Sequence, residues 1–233
     1  MSKKLLIILT VLALVPVFSG CNDGLPEDAV AKVDDRVITR EWFDKTVERN
    51  RKLYGPKFAG DDVARQRLVQ QKVMDEVAIL EAEELHLNAS DEEVDEQINK
   101  IKQQAGGEEQ FQASFAESGV SMDEFRENVR RWLLSTKLRN EVMKGMPMPS
   151  DEEAEKFYNE NRQLFINKSF EEAKPFVKTQ MIEALGIRES YWLTWLGKVM
   201  TDHKIIYAEG FEPTEEPGGQ TTTTPAAAPA AAT

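Results

Sequence analysis

Ser150–Phe165, SDEEAEKFYNENRQLF, opens with acid and closes with aromatic and aliphatic residues. Ser150 with Glu153 three positions on is a capping box, in which a hydroxyl and a carboxylate reciprocally satisfy the free amides of a helix start. Phe157, Tyr158 and Leu164 give the segment an apolar side, and Phe165 ends it. Only Ile166, Asn167 and Lys168 separate that ending from Ser169-Phe170-Glu171-Glu172, a second capping box. The next helix is thus expected to start almost at once.

Beyond Phe170 the pattern continues through Phe176, Val177, Met181 and Leu185. Pro175 cannot donate a backbone hydrogen bond, so a kink or a tolerant first turn is expected there. Gly186 is compatible with either a stop or a continuous helix. Tyr191, Trp192, Trp195, Leu196 and Val199 mark a further segment, and Lys204-Ile205-Ile206-Tyr207 reads as a strand. A lone strand leaves its backbone groups unpaired, so it is expected to join the strands predicted near the other end.

Those strands are Ala29–Val33 and Arg36–Ile38, about a turn at Asp34-Asp35. Valine and isoleucine favour the pleated state, and aspartate tolerates the left-handed backbone of a tight turn. Thr39 then caps a helix carrying Trp42, Phe43, Val47 and Tyr54, which Gly55-Pro56 ends. Between Asp61 and Leu85, Val69, Val73, Val77 and Leu80 recur at helical spacing. Ser90 with Glu93 opens a helix marked by Val94, Ile98 and Ile101, ending at Gly106-Gly107. A short helix with Phe111 and Phe115 follows, to Gly119. Ser121 with Glu124 starts a long helix, ending near Gly145, whose inner face is expected to hold Phe125, Val129, Trp132 and Thr136. Four capping boxes ahead of periodic segments make the fold mainly α, with a small β element that pairs the N-terminal strands with the C-terminal one.

This arrangement resembles the chaperone module of SurA- and PrsA-type periplasmic foldases over roughly Val30–Tyr207. In those families the chain leaves after a phenylalanine such as Phe165, builds a parvulin prolyl-isomerase domain of roughly ninety residues, and returns in a helix such as that at Ser169. Here three residues occupy the place of the insertion, so no isomerase site can be carried onto this sequence. The resemblance implies a helical chaperone-like domain without its parvulin insert.

The ends read differently. Residues 1–21 combine Lys3 and Lys4, an apolar run Leu5–Phe18 and small residues before Cys21. The run is short of the roughly 18 residues a membrane crossing needs, so a secretory signal is expected. The residues before Cys21 resemble a lipobox, which implies lipidation of Cys21 and anchorage to a membrane. Residues 22–28 are expected to be a tether, 29–211 the folded domain, and 212–233 a disordered Thr/Pro/Ala-rich tail. One cysteine excludes an internal disulfide. Loss of Lys3 and Lys4 with the leader moves the formal charge from −12 to −14, which argues against nucleic acid as a partner.

Chemistry is sparse. Only His86, at a helix end, and His203, beside the last strand, can supply an imidazole, and each is expected as a surface or capping histidine. Two histidines and one cysteine do not suggest structural zinc. The runs Asp91-Glu92-Glu93 and Asp151-Glu152-Glu153 lie in helix first turns, where negative charge is favourable without any ion. Gly106-Gly107 and Gly218-Gly219 lack a phosphate-loop pattern. No catalytic residue, metal, cofactor, nucleotide or small-molecule substrate is expected. Client binding remains, and its candidates are Phe111, Phe115 and Met122 in the short helical lobe, whose helical spacing favours core packing, and Met143, Met146 and Met148 beside Pro147 and Pro149, which serve equally as a plug between helical lobes. Thioethers offer adaptable apolar contact. Trp192 and Trp195 are expected chiefly as anchors. The expected activity is an ATP-independent holdase for unfolded exported or outer-membrane proteins, lipid-anchored in the cell envelope and facing the periplasm, of Gram-negative type. The rivals are a prolyl isomerase by family and a scaffold docking on one folded assembly complex.

Overall fold

The computed structural model describes residues 24–213; the leader, Cys21 and the tail from residue 214 lie outside the described residues. Strands β1 (Ala29–Val33) and β2 (Arg36–Thr39) form an antiparallel hairpin, and β3 (Ile205–Tyr207) pairs with the other edge of β1 to give the order β2-β1-β3. The turn falls at Asp34, which takes a left-handed φ of 50°. The pairing of the C-terminal strand with β1 is the one expected from the sequence. Residues Pro26 and Asp28 also accept backbone hydrogen bonds from Ala29 and Arg40, so the end of the expected tether is fastened to the domain.

Among the described residues eight α-helices follow the hairpin: α1 (Arg40–Tyr54), α2 (Asp62–Glu84), α3 (Asp91–Gln104), α4 (Glu108–Ser118), α5 (Met122–Met143), α6 (Asp151–Glu160), α7 (Phe170–Ala184) and α8 (Ile187–Val199). The boxes at Ser90, Ser150 and Ser169 close in both directions. At Ser121 only the hydroxyl half forms, accepting from the Glu124 amide; the Glu124 carboxylate instead meets Arg49 at 3.4 Å. Between Ala184 and Ile187 the chain turns through Gly186 at φ 60° and ψ 29°. That is a left-handed position suited to glycine, so the returning helix breaks there.

The helices bury three separate apolar cores. The largest gathers the sheet, α1, α2, the later part of α5 and α8 around Val30, Val33, Val73, Val77, Leu138 and Trp192. Helix α2 runs through it: Glu76, Val77, Ala78 and Ile79 are all buried in succession, because β1, β2, α5 and α8 pack around it. The second core joins α3, α4 and the start of α5 through Val94, Ile98, Phe111, Phe125 and Val129. The third holds α6 to α7 through Ala154, Tyr158, Phe165, Ala173 and Val177.

Two expected faces are corrected. On α5 the buried residues are Phe125, Val129, Leu134 and Leu138, while Trp132 is 37 % exposed. The helix serves one core with its first half and another with its second, so its apolar stripe steps sideways by one residue at Leu133, which touches both. Leu164 is not on the buried side of the central segment. Helix α6 ends at Glu160, a 3₁₀ turn spans Arg162–Leu164, and that turn swings Leu164 outward while Phe165 goes in.

The α6–α7 hairpin is closed by its own side chains. Tyr158 packs on Phe165 and Phe170 at 5.3 and 5.6 Å between ring centres, and its hydroxyl donates to the Lys168 carbonyl at 2.6 Å. Asp151 pairs with Lys174 and, at 2.7 Å, with Lys178. Replacing Tyr158 by phenylalanine is expected to keep the ring packing but orphan the carbonyl, costing about 1–2 kcal/mol in urea unfolding. Pro175 lies inside α7, five residues past its start, and removes the amide that would bond the Glu171 carbonyl.

Candidate functional site

Large apolar side chains exposed to water are where a binding surface for apolar ligands would lie. Among the described residues such side chains gather in two places. The first is the α6–α7 hairpin with the segment leading into it: Met148, Leu164, Ile166, Phe176 and Leu185 are each between 51 % and 73 % exposed. Leu164 and Ile166 flank Phe165 in sequence, and the Phe165 ring meets the Phe176 ring edge-on at 6.1 Å. Leu164, Ile166 and Phe176 thus expose apolar side chains around the buried Phe165. Asp151 beside Lys174 and Lys178 sets α6 antiparallel to α7, which places Met148 toward the other end of the hairpin, with Leu185.

The second place is the corner between α1 and α2, where Leu53 and Tyr54 are exposed and Tyr54 leans on Phe58 at 6.0 Å. Beside it is an open depression of about 390 Å³ lined by Phe58, Asp61, Val63, Ala64, Arg67 and Leu68.

The sequence candidates fall into different surroundings. Phe111 is buried, stacks on Phe115 at 5.4 Å and meets Phe125 at 5.7 Å; Phe115 and Met122 are half-buried against the same second core. Met143 packs on the main core, Met146 is half-buried, and Met148 projects into solvent. The structure thus separates the three methionines: only Met148 projects into solvent, at the Leu185 end of the hairpin rather than beside Leu164, Ile166 and Phe176. Trp192 and Trp195 stack at 5.2 Å, with Trp192 buried in the main core under Arg139.

Leu164, Ile166 and Phe176 were missed as candidates, yet a signal for Phe176 was present. The buried face of α7 runs Ala173, Val177, Met181 and Ile182. Phe176 lies about 100° around the helix from Val177 in the direction opposite to Met181 and Ile182, so it falls outside that stripe. Ile166 sits in a three-residue joint with nothing to cover it.

Ionisable groups are placed differently from the expectation as well. His203 is not a surface histidine: its side chain is 6 % exposed, with Nδ1 at 2.6 Å from Asp34 and Nε2 at 3.0 Å from Glu81. Glu76 is buried and meets Arg36 at 3.1 Å, Arg131 at 2.8 Å and Lys72 at 2.8 Å. Burial alone would raise its pKa, but Lys72, Arg131 and Arg36 together pull it down to about 2. Arg36 also forks onto Glu83, with both carboxylate oxygens at 2.6 Å. These networks join elements rather than surround a cavity. Among the described residues no group of three His, Cys, Asp or Glu side chains could hold a metal ion, and no helix is long and apolar enough to cross a membrane.

Comparison with known proteins places this architecture. The family model described as the SurA-like N-terminal domain matches residues 1–139. The foldase protein PrsA of Clostridium perfringens strain 13 is 28 % identical over 170 residues, covering 64 % of this chain and 49 % of the relative. PrsA of Clostridium botulinum strain Loch Maree is 27 % identical over 191 residues, 72 % of this chain and 57 % of the relative. The chain spans about half the length of the curated relatives it matches. A solved structure from Campylobacter jejuni, from work describing PEB4 and the periplasmic protein Cj1289 as SurA-like chaperones, superposes with a TM-score of 0.53 at 15 % identity. It covers 78 % of this chain and 99 % of that one, which shows a shared fold.

Proposed function

The chain belongs to the family of SurA-like N-terminal domains, and from that premise we propose that it is an ATP-independent holdase of the cell envelope, lipid-anchored through Cys21 and facing the periplasm. Residues 1–21 serve as leader, 22–28 as tether, 29–211 as the client-binding domain and 212–233 as a tail. Clients are unfolded exported polypeptides, outer-membrane proteins among them, and binding is non-catalytic. The observation that carries this reading is the exposed apolar patch of Leu164, Ile166 and Phe176 on a hairpin whose own core is already filled. An unfolded chain presents apolar side chains without fixed geometry, and such a patch accepts them by area rather than by shape. The direct joint of α6 to α7 through Ile166–Lys168 supports a role in holding rather than isomerising. The lipid on Cys21 concentrates the domain at the membrane where clients emerge, raising local concentration without adding contacts.

The test is light scattering of an unfolded outer-membrane β-barrel protein diluted from urea, with and without the chain. Suppression at near-stoichiometric ratios is expected. The triple change Leu164→Ser, Ile166→Ser and Phe176→Ser should weaken client binding at least about tenfold, since losing about 1.4 kcal/mol across three side chains is enough. Unchanged suppression by the triple variant would remove the hairpin from the site and redirect the search to the α1–α2 corner and to Phe115, Met122, Met143 and Met146. No suppression by the folded wild-type chain would favour a scaffold docking on one folded partner. Accelerated cis–trans exchange in a proline peptide would overturn the non-catalytic assignment.

A further inference from the structure

The His203 cluster ties the two ends of the described fold together. Asp34 occupies the β1–β2 turn, Glu81 belongs to α2, and His203 immediately precedes β3. The backbone repeats the link: the Asp34 amide donates to the Lys204 carbonyl at 2.9 Å, and the Lys204 amide donates to the Asp34 carboxylate at 2.8 Å. At the far end of β3 the Ala208 amide donates to the Val30 carbonyl at 2.9 Å. Strand β3 is only three residues long; it pairs with β1 along its length, and Ile205 and Tyr207 pack on the main core.

Imidazole chemistry makes this arrangement conditional. Both ring nitrogens face carboxylate oxygens, which accept but do not donate. Only imidazolium can donate from both nitrogens; a neutral ring must turn one lone pair toward a carboxylate. The charged groups that face the ring are Asp34 on the turn and Glu81 on α2; Asp35, Asp202 and Lys204 are exposed neighbours in sequence. Arg36, next along β2, is held by Glu76 and Glu83.

We propose that His203 is a protonation-controlled latch: as imidazolium it donates to Asp34 and Glu81 together, fastening β3 to the β1–β2 turn and to α2, and loss of the proton to water loosens β3 from β1. This stands independently of the holdase assignment. Burial works against the charge, but the hydrogen bonds to Asp34 and then Glu81 outweigh it, so the imidazole pKa is raised above its ordinary value of 6.5. With a folded value above the unfolded one, the latch contributes in full below about pH 6.5 and is lost as pH rises through the folded value.

The experiment is an NMR titration of the full chain, following the ring of His203 and the exchange protection of the Asp34 and Ala208 amides, with His86→Gln to assign the resonances. His203 is expected to titrate above about pH 6.5. Protection of both amides, corrected for intrinsic exchange, should fall through the same range by about tenfold for each unit of that displacement. Glu81→Gln, which keeps size and packing, should lower the His203 titration point and move the loss of protection with it. The latch is overturned if His203 titrates at or below about pH 6.5, or if the amides stay protected while it loses its proton. It is equally overturned if Glu81→Gln shifts the amide transition without shifting the titration.

Discussion

Leu138→Ala will destabilise the protein by about 4 kcal/mol, read as a lower midpoint in urea with an unchanged slope. Leu138 is fully buried and is among the largest fully buried side chains of the described residues. It sits on the second half of α5, where that helix packs on α2 and α8. Truncating such a leucine removes transfer energy and leaves a cavity, together roughly 2–5 kcal/mol. The upper part of that range is expected because the site is walled by rigid elements: the β-branched Val73 and Val77 of α2 and the stacked Trp192 of α8 belong to the same core. Collapse around the hole would need one of those helices to shift. Leu138→Met, which nearly conserves volume, should cost less than about 1.5 kcal/mol. An equal loss in both variants would show that shape rather than volume governs the site.

Glu76→Ala is expected to cost about 3 kcal/mol. The carboxylate accepts hydrogen bonds from Arg36 of β2 and Arg131 of α5 and pairs with Lys72 of its own helix. Removing one partner of a buried pair leaves the others uncompensated, which costs roughly 3–5 kcal/mol. The low end applies because Arg36, Lys72 and Arg131 each keep some contact with water and can partly resolvate. The network also has a pH signature. With its pKa held at about 2 in the fold against an ordinary 4.5, Glu76 stabilises in full above about pH 4.5 and loses that contribution as pH falls toward about 2. Glu76→Gln should therefore flatten the acid limb of the stability profile while leaving its shape above pH 5 unchanged. An acid limb unaltered in the glutamine variant would place the acid sensitivity elsewhere.

The two ends of the stability profile thus rest on different clusters, Glu76 on the acid side and His203 on the alkaline side. Both couple the sheet to α2, and neither touches the exposed hairpin patch. Solution pH can therefore be varied to test the latch without altering the apolar surface proposed to hold clients.

Much of the fold was written in local signals. Serine with glutamate three residues later marked four helix starts, and all four begin there, because capping involves groups within one turn and needs nothing distant. Val69, Val73 and Val77 lay on one face and are buried, and the strand at Ile205–Tyr207 had to find a partner because its backbone groups could not remain unpaired. What periodicity could not give was the number of cores that one helix serves. Trp132 and Leu138 both lie on α5; only the passage of that helix from the second core to the first decides that Leu138 is buried and Trp132 half-exposed. The same limit applied to the candidate site, since a methionine or phenylalanine at helical spacing reads alike whether or not another helix covers it. Phe111 and Met143 are covered, whereas Phe176 and Ile166 are not. His203, Asp34 and Glu81 are far apart in sequence, as are Glu76, Arg36 and Arg131, so no local pattern joins them. The sequence by itself determined where the helices and strands begin and which segments must pair. The tertiary structure alone decided which apolar faces stay open and which charges meet, because both depend on distances between residues that the chain brings together only when it folds.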